Sequence, residues 1–150
     1  ENITLHEGLL NIGQASGVRI IREMKKKAAD SEIIILDSPP GSSCSVVETI
    51  KGIDMALLVT EPTPYGLHDV DAVVNLCTDM RIPFVVIINK DCGSYKKMDL
   101  YFAEKDIRVV SRIPFSEEIS EQSSTGRLII DGKSSFHIFE SICKSIGVIS

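Results

Sequence analysis

Three short segments of this chain carry consecutive apolar residues instead of one at every second position, "EIIILD" (32–37), "DMALLVT" (54–60) and "PFVVIIN" (83–89), and a fourth strand candidate, "IRVVSRI" (107–113), is a weaker apolar run. A strand with one wet face alternates apolar and polar residues. An unbroken apolar run therefore reads as a strand covered on both faces, as in a parallel sheet. Between the runs the period changes. The stretch 65–80 places Leu67, Val70, Val73, Val74 and Cys77 on one stripe at helical spacing. Shorter helices are expected around 46–51 and 98–105. A last helix over 135–146 carries Phe136, Phe139, Ile142, Cys143 and Ile146 on one face. Strand, helix, strand in this rhythm predicts βαβ units, and so an α/β fold with a mostly parallel sheet and helices on both faces.

The first thirty residues follow another pattern. "NITLHEGLLNIG" predicts a hairpin or two short strands around Gly8, and "SGVRIIREMKKKA" a helix with Ser16 as N-cap and Val18, Ile21 and Met24 facing inward. With no internal repeat and no low-complexity linker, residues 1–150 are expected to form a single domain. The formal net charge of -5 argues against a nonspecific nucleic-acid binder. The basic runs "MKKKAAD" and "SYKKMD" read as solvated helix faces. No apolar run approaches the roughly 18 residues of a membrane-spanning helix, and no stretch reads as a secretion signal. Cys44, Cys77, Cys92 and Cys143 contain no C-x-x-C pair, which disfavours a zinc or iron–sulfur site in this chain and suits thiols in a reducing cytoplasm. The first residue is Glu1 and not methionine, which reads as a fragment or a trimmed product.

In open α/β sheets, ligands bind beyond the carboxyl ends of the strands. Here those ends read "DSPPGSS", "TEPTPYG", "NKDCGS" and "IPFSEE". Any one such loop is explained by Gly and Pro as turn residues; four at one edge describe a binding rim. Asp37, at the tip of the first apolar run, is placed to hold a hydrated magnesium ion, the plainer alternative being a turn or N-cap carboxylate. Gly41 would let its N–H approach a phosphate where a Cβ would obstruct, with Pro39 and Pro40 pre-setting the loop.

The stretch "IIILDSPPGSSCSVVETIKGIDMALLVTEPTPYGLHDVDAVVNLCTDMRIPFVVIINK" resembles the core of the MinD/ParA (Mrp-like) superfamily of P-loop ATPases, and most of all the branch with an inserted ferredoxin domain. "LLNIGQASGVRIIREMKKKA" resembles the segment that follows that insert. "RIPFSEEISEQSSTGRLI" resembles the family's adenine-side loop and the helix after it. The resemblance implies a three-layer P-loop NTPase-like fold and an ATPase that uses ATP and Mg2+. "DSPPG" then corresponds to the Walker B and switch II segment, with Asp37 as the magnesium-water ligand and Gly41 at the γ-phosphate, both counted as catalytic, and Ser38 and Pro40 beside them. Asn89 corresponds to the adenine reader, Pro114 to the loop packed on the base, and the 60–64 loop to a segment near the ribose and the dimer interface. Cys44 stands where some relatives carry an aspartate. The partners implied are ATP, a homodimer or a chain supplying the P-loop segment, and an iron–sulfur client protein, with no nucleic acid and no membrane span.

The chain departs from that pattern in lacking the first, P-loop strand and its Walker A motif. "GRLIIDGKSS" does not supply it, because G-x-x-x-x-G-K-[ST] requires glycine at position 127, which is Arg. The ferredoxin cysteines are absent as well. In "NKDC" the fourth position is Cys92, where guanine readers place an aspartate that accepts from N1 and N2, so adenine is favoured. Since the family's P-loop strand lies between the strand ending at Asp37 and the strand 54–60, these two are expected to pair directly, or to have the slot filled by residues 1–12 or by another chain. The leading reading is the C-terminal part of an iron–sulfur-associated, MinD-like ATPase, inactive on its own. The competing readings are a non-catalytic interaction module derived from the same fold and a flavodoxin- or receiver-like domain.

Overall fold

The computed structural model describes residues 3–13, 17–93, 95–126 and 133–147, with side chains of the last segment from 136 onward. The elements run α1 (Val18–Ala28), α2 (Cys44–Ile50), β1 (Ala56–Thr60), α3 (Pro64–Asp79), β2 (Phe84–Asp91), α4 (Lys96–Glu104), β3 (Val109–Pro114), α5 (Glu117–Ser124) and α6 (Lys133–Ser145). Among the described residues the strands form one parallel sheet in the order β1-β2-β3. Leu58 registers with Val86 and Thr60 with Ile88, and Val86 with Val109.

The solid apolar runs explain this layout. Val85, Val86, Ile87 and Ile88 are all buried, which in a strand requires cover on both faces. One face joins Ala56, Leu58, Val86 and Ile88 to Val46 and Ile50 of α2, Val70, Val74 and Cys77 of α3, and Met98 and Phe102 of α4. α6 packs on β3 and buries Ile142. Each such side chain contributes about 1.5–3 kcal/mol on leaving water. Two helices start on side-chain caps: Thr63 Oγ1 accepts from the Gly66 N–H at 3.0 Å with Pro64 at the first helical position of α3, and Ser116 Oγ accepts from the Ile119 N–H at the start of α5.

Two expectations are corrected. Residues 32–37 form no strand: Ile33, Ile34 and Ile35 are exposed, Ile35 at 89%. They do not pair with β1, whose one strand neighbour among the described residues is β2. Residues 3–11 form neither hairpin nor strand, and do not fill the slot as one. The physical reason is common to both. A strand exists through the ladder it makes with a neighbour, and apolar composition supplies the side chains of a strand without supplying that neighbour. The two extended segments instead line a cleft of about 370 Å³, with Leu5, Leu10, Ile34, Leu36 and Asp37 facing Ile20 and Met24 of α1. Leu57 and Val59, the alternate residues of β1, are 40% and 60% exposed. Ser16, expected as an N-cap, and residues 127–132 lie outside the described residues; Gly17 occupies the position before α1.

α1 buries none of its residues and is held to α2 by polar contacts. Arg22 makes a two-pronged ion pair with Glu48 at 2.8 and 3.0 Å. Lys25 Nζ donates to the carbonyls of Glu48, Thr49 and Lys51, the unpaired acceptors at the end of a helix, where a cation also meets the negative end of the dipole.

Candidate functional site

The carboxyl ends of the three strands carry the polar loops. After β1, the Thr60 hydroxyl donates to the Gly66 carbonyl at 2.9 Å, folding the 60–66 loop onto the start of α3. A Cβ at Gly66 would overlap the Glu61 carbonyl oxygen and crowd the Thr60 hydroxyl. Alanine in place of a helical glycine ordinarily gains about 1 kcal/mol. Here the overlap is with backbone and dominates, so Gly66→Ala is expected to cost about 1–3 kcal/mol net. A urea midpoint that stays level or rises would show that the loop yields instead.

After β2, Asn89 is half-buried and its Oδ1 accepts from the Lys90 N–H at 3.0 Å. Lys90 has φ +55, and its Nζ meets Glu61 Oε1 at 2.7 Å. Asp91 accepts from Arg112 at 2.9 Å and from the Gly93 N–H at 2.8 Å; these two donors, Arg112 foremost, hold its carboxyl below the usual carboxylate range. Arg112 also pairs with Asp99 of α4, and the two carboxylates, Asp91 ahead of Asp99, raise the guanidinium's own pKa. The Asp91 carboxylate is thus already engaged one position away from where a guanine reader would stand. After β3, Pro114 registers with Asp91, and the Phe115 N–H reaches the Asp91 carbonyl. The structure therefore brings the Asn89 and Pro114 loops side by side.

The "DSPPG" loop lies beside α1. Asp37, Ser38, Pro40 and Gly41 are all exposed. Ser38 Oγ donates to the Pro39 carbonyl at 3.3 Å. Gly41 sits at φ +83 with open space where a Cβ would be, a left-handed conformation that glycine adopts without strain. Asp37 and Pro39 line the cleft beside α1, and Asn89 and Pro114 are not among its walls. Among the described residues no group of three or more His, Cys, Asp and Glu converges to hold a metal. One carboxylate still suits Mg2+, which keeps several waters and takes its other ligands from phosphates. Cys44 and Cys92 are exposed and in no disulfide, and Cys77 is fully buried, which pushes its thiol pKa up. No helix of the described residues is long and apolar enough to cross a membrane.

Glu61, Asp99 and Arg112 were not legible as site residues. The one signal for Arg112 is a long cation inside a strand, and its partners lie 13 and 21 positions away.

No protein-family model matches the chain. In sequence it is similar to an uncharacterised protein of Methanocaldococcus jannaschii, 30% identical over 123 residues, covering 81% of this chain and 42% of that protein. It is similar to the iron–sulfur cluster carrier protein of Pyrococcus abyssi, 26% identical over 116 residues, covering 66% and 39%. A third relative is an uncharacterised ATP-binding protein of M. jannaschii, 29% identical over 124 residues, covering 80% and 48%. The chain spans less than half the length of each. Among solved structures it resembles the cell division ATPase MinD of Pyrococcus furiosus, with a TM-score of 0.70 at 21% identity over 89% of this chain and 59% of that one. It also resembles a ParA family ATPase of Chlorobium tepidum, at 0.63 and 20% over 78% and 51%. The structural likeness, at these identities, speaks for the fold: the chain has the fold of the MinD and ParA family ATPases, and its sequence relatives include an iron–sulfur cluster carrier protein and an ATP-binding protein.

Proposed function

We propose that this chain is the part of a MinD/ParA-like ATPase that contributes the Walker B and switch II segment, through Asp37, Ser38, Pro40 and Gly41, and the adenine-side loops, through Asn89 and Pro114. The observation that carries the reading is the register of Asp91 with Pro114, which sets both base-side loops together at the carboxyl ends of parallel strands, where open α/β sheets bind ligands. Asp37 would hold the magnesium water, and the phosphates would be cradled by a Walker A loop supplied from outside the described residues. Dimerisation around Mg-ATP and an iron–sulfur client are part of the same proposal; the client rests on the carrier protein among the relatives.

The chain carries base contacts but no phosphate cradle, so its own affinity for ATP should be on the order of 1 mM. ATP is expected to outcompete GTP in an NMR titration, and Asn89→Ala to weaken ATP binding by about 1–3 kcal/mol, the effect of a lost hydrogen bond with its partner left unpaired. Equal competition by the two nucleotides would remove the adenine assignment. A second reading, a non-catalytic interaction module, is favoured by one observation: Ile33, Ile34, Ile35, Leu57 and Val59 leave apolar surface in water. Absence of nucleotide binding even alongside a Walker A loop would select it.

A further inference from the structure

Between Ile88, which registers with Arg112, and Asp91, which registers with Pro114, β2 takes three residue steps where β3 takes two. The extra residue makes a β-bulge at Asn89 and Lys90, a device that re-aims side chains beside binding sites. Lys90 accordingly sits at φ +55, a region that residues other than glycine enter at a cost and only when neighbours hold them there. Neighbours do so on both sides. The Lys90 ammonium meets Glu61, in the loop after β1, at 2.7 Å. Arg112 grips Asp91 at 2.9 Å while also reaching Asp99 on α4.

The bulge decides what Asn89 offers a ligand. A backbone N–H can only donate, so the carboxamide atom 3.0 Å from the Lys90 N–H is the oxygen, and the NH2 lies on the other side. We propose that the Lys90 bulge, pinned by Glu61 and by Arg112, is a specificity device. It locks the Asn89 carboxamide so that the remaining lone pair of Oδ1 and the Nδ2–H stand in a fixed acceptor–donor order. That order matches the N6–H donor and N7 acceptor of adenine and mismatches guanine, whose O6 and N7 are both acceptors. Lys90, Glu61 and Arg112 are then positioning residues that act through Asn89. The inference rests on the reading of Asn89 as the base contact.

The test titrates ATP and GTP into the full chain by NMR, for the wild type, Lys90→Gly, Glu61→Gln and Arg112→Gln. Lys90→Gly keeps the backbone N–H, removes the ion pair and relieves the left-handed strain, so the fold stays at least as stable while the lock loosens. The wild type should prefer ATP by about five- to tenfold, the discrimination of one good bidentate contact. In Lys90→Gly and Arg112→Gln the preference should fall to within about twofold, with the Asn89 side-chain NH2 becoming more mobile in 15N relaxation. If Arg112→Gln fails to fold, Lys90→Gly and Glu61→Gln decide the matter. A preserved preference and a rigid NH2 in the folded variants would overturn the positioning role and leave Asn89 as base reader. No preference in the wild type, or one that survives Asn89→Ala, would overturn that reading and this inference with it.

Discussion

Asp37→Asn, introduced into a form of the protein that also carries a Walker A loop, is expected to lower ATP turnover by about 10–100-fold while ATP binding changes by less than about threefold. Phosphoryl transfer is mostly positioning and charge neutralisation, and the magnesium ion does much of the second. A carboxylate that orients a magnesium water acts on charge that grows in the transition state, so its loss falls on turnover more than on affinity. Asparagine preserves the shape and removes the charge. The exposure of Asp37 and the left-handed Gly41 four positions on leave the loop open for a phosphate. On the proposed reading the 150-residue chain alone is expected to show no turnover above background, because that reading gives it an aspartate and base contacts without a cradle. Magnesium-dependent turnover by the chain alone that responds to Asp37→Asn would mean that the phosphate site lies elsewhere. So would full turnover by the substituted long form.

Phe102→Ala should destabilise the chain by about 3–5 kcal/mol, a fall of roughly 6–20 °C in melting temperature. Phe102 is 3% exposed in the central cluster and meets the Tyr101 ring edge-on, with centroids 5.4 Å apart. Removing its ring leaves a cavity in the cluster that also holds Val86 and Met98, which helix α4 cannot close, because polar contacts hold α4 to α3. The Tyr101 hydroxyl donates to Asp71 at 2.7 Å, and Lys105 pairs with the same carboxylate at 2.9 Å. Tyr101 first and Lys105 second lower the Asp71 pKa. That contribution is therefore complete above the ordinary carboxyl value of about 4 and disappears as pH falls through the lowered folded value. Phe102→Leu should recover most of the loss. A measured loss for Phe102→Ala below about 1 kcal/mol would show that α4 is not anchored by this ring. Since α4 also carries Asp99, on which Arg112 rests, the same substitution should loosen the Asn89 loop.

What the sequence determined by itself is whatever depends on neighbours a few residues apart. The stripe of Val70, Val74 and Cys77 and the apolar runs of β1, β2 and β3 were legible, and α3 and β1 to β3 fall within a few residues of their expected limits. Helical periodicity and capping are short-range, and a run apolar at every position can be buried only in a sheet covered on both faces. Tertiary structure alone decided the rest. "EIIILD" holds four consecutive aliphatic residues, as β2 does, yet 32–37 is no strand, because a ladder needs a second backbone whose presence no run of isoleucines can report. The site divides in the same way. Asn89 and Pro114 were legible as loop residues at strand ends. That Lys90 forms a bulge, and that Glu61 and Arg112 hold it from either side, follows from β2 gaining one residue on β3. Such an offset exists only once two strands lie in register, since it is a property of the pair and belongs to neither strand alone.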